Sequence, residues 1–172
     1  GQVWAAMAAP TESPDRRRVE EHGANRRRAQ RGVTLRPIDV AILRFTGQYL
    51  HGATVPRRLP DEVDPALLPD VLRVIATAER ACAGMRIGVD PRRGGQSLDK
   101  EAWARVTTVV EAAVRAAHPE LVHDAVATVS FLMCSEAAER SRSLPVKEDA
   151  EGAGDRAGGT GGTRTARLTF TD

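Results

Sequence analysis

Histidine and cysteine are the residue types in this sequence best suited to catalysis or metal binding, and the chain has four histidines and two cysteines. His118 and His123 are the histidines closest in sequence, at a spacing of five. Two ligands on one face of a helix need a spacing of four. Cys82 and Cys134 belong to no paired-cysteine motif, which disfavours a zinc site or a disulfide. We therefore predict no catalytic residue, no metal and no cofactor, and we expect buried cysteines in a reducing compartment.

A glycine-rich run at residues 157–162 and two tryptophans are candidates for binding nucleotides. No Lys-Ser or Lys-Thr pair follows the glycines, so they indicate a flexible tail instead of a phosphate-binding loop. Trp4 lies in a terminal segment. Trp103 lies beside an apolar helical stripe, where packing is favoured over stacking on a base. We predict that neither tryptophan is part of a site.

The arginines are concentrated near the start of the chain, and this distribution indicates a function. The formal net charge is only +2, yet the first 36 residues contain eight arginines and four acidic residues. Six of these arginines form two triplets, at residues 16–18 and 26–28. A planar guanidinium suits bidentate contacts with phosphate. The pattern favours a nucleic-acid partner over an anionic membrane surface, but a solvated, disordered arm explains the same composition.

Apolar side chains recur at helical spacing in four stretches between the polar ends. We predict helices near residues 37–50, 65–84, 97–117 and 119–141. The last two are expected to pack as an antiparallel hairpin. Pro56 and Pro60 predict an extended connector at residues 53–63, and residues 85–89 suit a short strand. The fold class is therefore predicted to be mostly α, with a small helical core and a helical hairpin.

The composition divides the chain into four segments. They are a basic disordered arm at residues 1–35, the small helical core at 36–95, the helical hairpin as an extension at 96–142, and a flexible Gly-rich tail at 143–172. The two ends are too poor in apolar residues to offset the entropy lost on ordering. The Arg-rich bias at the start also fits an organellar transit peptide. The longest apolar stretch is too short to span a bilayer.

Part of the chain resembles a known family. The run Asp39-Val40-Ala41-Ile42-Leu43-Arg44-Phe45, followed by Gly52 and then Val55-Pro56-Arg57-Arg58-Leu59, resembles the core of the small-subunit ribosomal protein eighteen family of bacteria and organelles. Residues 72–89, with Ala76-Thr77-Ala78 and Glu79-Arg80-Ala81, are similar to the second helix of that family. Leu59-Pro60-Asp61 stands where the family has Thr-Gly. The resemblance covers residues 38–89.

The resemblance implies a structural component of the small ribosomal subunit, part of a ribonucleoprotein that acts in translation. The implied partners are ribosomal RNA and neighbouring small-subunit proteins, notably protein six, with no membrane and no small-molecule substrate. Because the chain extends beyond the resemblance on both sides, we favour a mitochondrial ribosome, with a chloroplast or the bacterial cytoplasm as alternatives. The arginines that we predict to bind RNA are Arg26, Arg27, Arg28, Arg44, Arg57, Arg58, Arg73, Arg80, Arg92 and Arg93.

Two other hypotheses remain open. A helical protein-interaction module built on residues 97–141 needs no RNA binding and leaves the basic arm solvated. A DNA-binding regulator would use residues 37–50 to open a helix-turn-helix, with the basic arm in a groove. The partner separates the three hypotheses: ribosomal RNA supports the first, protein alone the second and duplex DNA the third.

Overall fold

The computed structural model describes residues 13–50, 54–95 and 97–143. These residues contain five α-helices: α1 Pro14–Gln30, α2 Pro37–Phe45, α3 Leu68–Ala81, α4 Lys100–Ala117 and α5 His123–Ser143. A 3₁₀ turn covers Pro60–Glu62. Within the described residues, β pairing is limited to an isolated antiparallel bridge between Val89 and Leu98, so residues 85–89 do not form the suggested strand. The prediction of a mostly α fold is confirmed.

Helix α1 lies inside the segment that we predicted to be disordered, so that prediction is wrong for residues 14–30. The helix starts well because Ser13 Oγ accepts a hydrogen bond from the Arg16 amide (3.1 Å) and a proline occupies the first position. Arg17 and Glu21 then form an ion pair one turn apart (3.4 Å). Residues 1–12 of the predicted arm and 144–172 of the predicted tail lie outside the described residues.

Helix α2 ends at Phe45, earlier than the predicted end near residue 50. Gly47 stops it, because its φ of 78° is a left-handed conformation that glycine adopts without strain. The chain then returns beside this turn, where the Leu59 amide donates to the carbonyl of Phe45 (2.7 Å). Residues 54–59 of the predicted connector form no helix or strand, whereas residues 60–62 form the 3₁₀ turn, so the connector is not extended throughout.

Helix α3 begins at Leu68, after a turn in which Asp64 Oδ1 accepts a hydrogen bond from the Ala66 amide (2.9 Å). Leu72 is apolar and lies within this helix, yet it is 46% exposed. The buried positions of α3 repeat with the 3.6-residue period of a helix starting from Val71. Leu72 therefore lies at the edge of the buried face. The buried residues of α3 are Val71, Val74, Ile75 and Ala78.

Helices α4 and α5 pack as the predicted antiparallel hairpin. Near the turn that joins them, Ser130 Oγ donates to Glu111 Oε2 (3.1 Å). Farther from the turn, Thr107 Oγ1 and Cys134 Sγ are 3.3 Å apart. The residue number rises in one helix as it falls in the other, as an antiparallel pair requires.

One hydrophobic core joins α2, α3, α4 and α5, so the segments 36–95 and 96–142 share it. Both cysteines are buried in this core, as expected, and Trp103 packs against it with its ring centroid 6.1 Å from that of Phe131. Burying one aliphatic side chain contributes about 1.5–3 kcal/mol, so the many apolar side chains of this core stabilise the fold strongly. The largest fully buried side chains are Ile42, Phe45, Val71, Val74, Ile75, Ile87, Val106, Val110, Val114, Val126, Val129 and Leu132.

Candidate anion-binding site

Arg58, the second arginine of the Pro-Arg-Arg connector, is held in ion pairs within the fold. Its Nε lies 2.8 Å from Glu136 Oε2, and its Nη2 lies 2.7 Å from Glu79 Oε2. These contacts join the connector to α5 and α3. Hydrogen bonding raises the pKa of Arg58 above its usual value, with a larger effect from Glu136 than from Glu79. The Arg58 guanidinium is therefore neutralised by two carboxylates of the same chain.

Arg44 connects α2 to α1. Its Nη2 lies 3.2 Å from Glu21 Oε1, and its guanidinium carbon lies 4.3 Å from the centroid of the Tyr49 ring, a cation–π contact. Hydrogen bonding to Arg44 lowers the pKa of Glu21. Arg17 extends this network from Glu21 to Glu62, at 2.6 Å from Arg17 Nη2 to Glu62 Oε1. Arg44 thus helps to hold α1 in place.

The other predicted arginines are spread over several elements. Four of them contact groups close by in sequence: Arg73 (Asp70), Arg80 (Thr77), Arg92 (Asp90) and Arg93 (the Leu98 carbonyl). Arg26 on α1 and Arg57 on the connector are exposed. The predicted RNA-binding arginines are thus distributed over α1, α2, the connector, α3 and the loop before α4.

Arg28 differs from the other predicted arginines because the fold buries it to 8% exposure. Its Nη2 donates to the carbonyl of Tyr49 (2.6 Å), and its guanidinium carbon lies 4.9 Å from the Tyr49 ring centroid. Its Nη1 is buried and has no hydrogen-bond partner among the described residues. Burial lowers the pKa of Arg28, because the charged form loses contact with water. A buried donor without an acceptor costs about 1–3 kcal/mol, so an acceptor at Nη1 would stabilise the folded chain.

Arg28 lines a cavity of about 430 Å³ between α1, the turn after α2 and the first half of α5, which we call the α1–α5 cavity. Arg27 and Arg31 add two further guanidinium groups to its wall. Apolar side chains supply much of the remaining lining. They are Leu43, Leu50, Ala127 and Phe131.

The charges in the wall of the α1–α5 cavity do not balance. Asp124 is the one carboxylate among the described lining residues, and its Oδ2 lies 3.1 Å from Arg31 Nη2. Arg27 donates to a neutral group, the carbonyl of Leu50 (3.4 Å). Three guanidinium groups against one carboxylate leave a net positive wall beside apolar surface, which suits an anion.

Binding is the chemistry that this arrangement supports. Thr128 is the hydroxyl residue of the lining, and its Oγ1 lies 3.0 Å from the Oγ1 of Thr46, in a buried pair. No cluster of three or more metal-binding side chains occurs among the described residues. In that same part of the chain, every helix is too short or too polar to cross a membrane.

A protein-family model matches the chain over its whole length, residues 1–172. The chain belongs to this family, which is described as a family of unknown function, DUF6357. No curated protein and no solved structure matches the chain. The description of DUF6357 names no ligand, partner or reaction, so the ribosomal function implied by the resemblance stays a prediction.

The sequence of this DUF6357 chain contains a helical pattern that a search for apolar periodicity misses. Arg17, Glu21, Ala24, Arg28 and Arg31 recur at intervals of four and three, so they share one face of the first helical segment. We call these residues the docking stripe, because the structure turns this face toward the rest of the fold. The sequence does not predict the cavity, because its walls come from α1 and α5, and residues so far apart in sequence show no common spacing.

Proposed function

We propose that this chain is a non-catalytic binding domain that holds a small organic anion in the α1–α5 cavity. The observation that carries the proposal is the unbalanced charge of the cavity wall, where Arg27, Arg28 and Arg31 outnumber the single carboxylate of the described lining, Asp124. A carboxylate or phosphate group in the cavity would accept charge-assisted hydrogen bonds from these arginines. This proposal departs from our expectation that the chain has no small-molecule partner.

The size and lining of the cavity support an organic anion over a simple inorganic ion. A volume of about 430 Å³ lies within the usual range for small-molecule sites, about 300–1,000 Å³. The guanidinium groups suit the anionic head of the ligand. Leu43, Leu50 and Phe131 would contact an apolar remainder, whose transfer from water adds affinity.

Calorimetric titration of the full chain with phenyl phosphate and with benzoate tests the proposal, with benzyl alcohol as the uncharged control. We expect one anion to bind per chain and benzyl alcohol not to bind. Arg28→Met keeps most of the side-chain volume but removes the donors, and we expect it to weaken binding at least about tenfold. The matched control Arg57→Met, on the exposed connector, should bind like the wild type.

Two results would sink this proposal. One is the absence of saturable binding of both anions at millimolar concentration. The other is an Arg28→Met chain that keeps its helical circular dichroism and binds phenyl phosphate as tightly as the wild type. If Arg28→Met unfolds, Arg28→Lys provides the second variant. It keeps the charge but loses the planar fork, so we expect weaker binding there too.

Arg57 favours a second candidate function, binding of ribosomal RNA as a component of the small ribosomal subunit. It is exposed, and it follows Pro56 on a connector whose backbone is stiffened by proline. Such an arginine can meet a phosphate with little loss of conformational entropy. A mitochondrial ribosome remains the favoured setting, with chloroplast and bacterial ribosomes as alternatives.

Sedimentation of a native extract on a high-salt sucrose gradient tests this second candidate, with the protein located by mass spectrometry. Comigration with the small subunit would support it, and Arg57→Ala should then reduce incorporation. We choose Arg57 alone because replacing Arg58 also removes ion pairs to Glu79 and Glu136. Protein confined to the top of the gradient would refute the ribosomal function.

A further inference from the structure

The contacts that hold α1 to the rest of the described chain are mainly polar. Arg17 pairs with Glu62, Glu21 with Arg44, and Arg31 with Asp124, while Asn25 Oδ1 accepts a hydrogen bond from the Tyr49 hydroxyl and Arg28 donates to the Tyr49 carbonyl. Ala24 is the buried apolar residue of α1, and Val19 is 71% exposed. Partly exposed ion pairs of this kind contribute little each. Docking of α1 is therefore weak compared with packing in the core.

The segment between α1 and α2 allows α1 to leave without disturbing the core. Gly32 has a φ of 77°, where glycine is free to change conformation. The start of α2 is fixed independently, because Asp39 accepts hydrogen bonds from the amides of Arg36 (2.9 Å) and Val122 (3.0 Å). Motion about residues 31–35 would thus carry α1 while α2 stays in place.

The C-terminal half of α1 forms one wall of the α1–α5 cavity. Arg27 and Arg28 line the cavity from α1 and Arg31 from the position just after it, while Ala127 and Phe131 line it from α5. An anion in the cavity would contact both walls at once. When α1 undocks, the cavity loses its cationic wall, so the anion has high affinity for the docked state alone.

We propose that α1 is a clamp that closes on the bound anion, so that the ligand controls whether α1 is docked. This inference rests on the proposed function. A ligand that binds one state shifts the equilibrium toward that state by mass action. At a free anion concentration ten times the Kd, the undocked population should fall about elevenfold.

Limited trypsin digestion of the full chain reports the undocked population, because a helix of 17 residues has little stability of its own and opens once it leaves the fold. Helix α1 contains six arginines, residues 16–18 and 26–28, and trypsin cleaves after arginine only where the helix has opened. We expect 10 Kd of phenyl phosphate to slow cleavage within α1 about elevenfold. A chromogenic arginine substrate in the same tube reports any effect of phenyl phosphate on trypsin itself.

Two variants sharpen this test. Tyr49→Phe removes the hydroxyl that bonds Asn25 but keeps the ring, so we expect cleavage of α1 without ligand to rise about fivefold. Arg28→Met should abolish protection by phenyl phosphate, whereas Arg57→Met should keep it. Cleavage that is unchanged by Tyr49→Phe would show that this bond does not hold α1 and would count against the clamp.

The outcomes separate the clamp from the proposed function. If calorimetry shows no binding of phenyl phosphate, the proposed function fails and the clamp fails with it. If calorimetry shows binding in the wild type but cleavage of α1 keeps the same rate at 10 Kd, the clamp is overturned and the anion site stands. Binding together with slowed cleavage supports both.

Discussion

Asp39 is a fully buried carboxylate in the first turn of α2. Its two oxygens accept hydrogen bonds from the amides of Arg36 and Val122. One oxygen therefore caps α2, while the other holds the loop before α5 against it. A residue that forms part of the ribosomal resemblance thus has a structural role in this fold.

We expect Asp39→Ala to lower the free energy of unfolding by about 1–3 kcal/mol, because two amides lose their acceptor and both hydrogen bonds are partly buried. Urea denaturation followed by circular dichroism measures this loss. Asp61→Ala is the matched control, since Asp61 is exposed in the 3₁₀ turn. Equal losses for the two variants would refute the capping role of Asp39.

At the scale of elements, the docking of α1 depends on the ionisation of Glu21. Its carboxylate lies between Arg44 of α2 and Arg17 of α1, and hydrogen bonding to Arg44 lowers its pKa. A lowered pKa means that the ionised form stabilises docking at every pH above the pKa of an unfolded glutamate, about 4.3. That stabilisation is lost as the pH falls through the lower pKa of the folded state.

Acidification below about pH 4.3 should therefore undock α1 while the core remains folded. Amide chemical shifts of α1 and of α4, followed by NMR over the same pH series, separate the two events. Glu21→Gln should dock more weakly at neutral pH and show a smaller acid step, because the carboxylates of Glu62 and Asp124 still contact α1, whereas Glu101→Gln, an exposed change on α4, should keep the full step. An acid step of unchanged size in Glu21→Gln would contradict the prediction.

Which elements could be predicted depended on what their buried faces contain. Helices α4 and α5 bury rows of valines at helical spacing, so the sequence predicts both helices and their pairing. Helix α1 docks through charged side chains at the same spacing, and a test based on hydrophobicity cannot register them. The early end of α2 depends on Gly47. A residue with a Cβ at this position would bring that atom to 3.2 Å from Leu59 Cδ1. Leu59 is distant in sequence, so the local pattern does not show this close approach.

At the scale of the whole molecule, one core supports both the connector region and the hairpin. Ile42 of α2, Ile75 of α3, Val110 of α4 and Leu132 of α5 belong to the same buried cluster. The sequence shows which face of each helix is apolar, but it does not show which other helix covers that face. This is why we described the hairpin as an extension, and why the α1–α5 cavity was beyond sequence analysis.

A shared core predicts that residues 36–142 unfold in one cooperative transition. In a Trp4→Phe background, unfolding monitored by Trp103 fluorescence should coincide with unfolding monitored by circular dichroism. Leu132→Ala should shift both curves together and cost about 2–5 kcal/mol, since Leu132 is fully buried. Leu72→Ala, at a half-exposed position, should cost less. Two separated transitions would indicate independent units.

The polar docking stripe of α1 also gives this molecule an unusual response to temperature. Exposing apolar surface raises the heat capacity, whereas exposing polar surface lowers it, so undocking α1 changes the heat capacity far less than unfolding the core does. The stability of the core therefore curves with temperature and weakens in the cold, while α1 docking varies almost linearly. On cooling, α1 would therefore stay docked while the core to which it is docked loses stability.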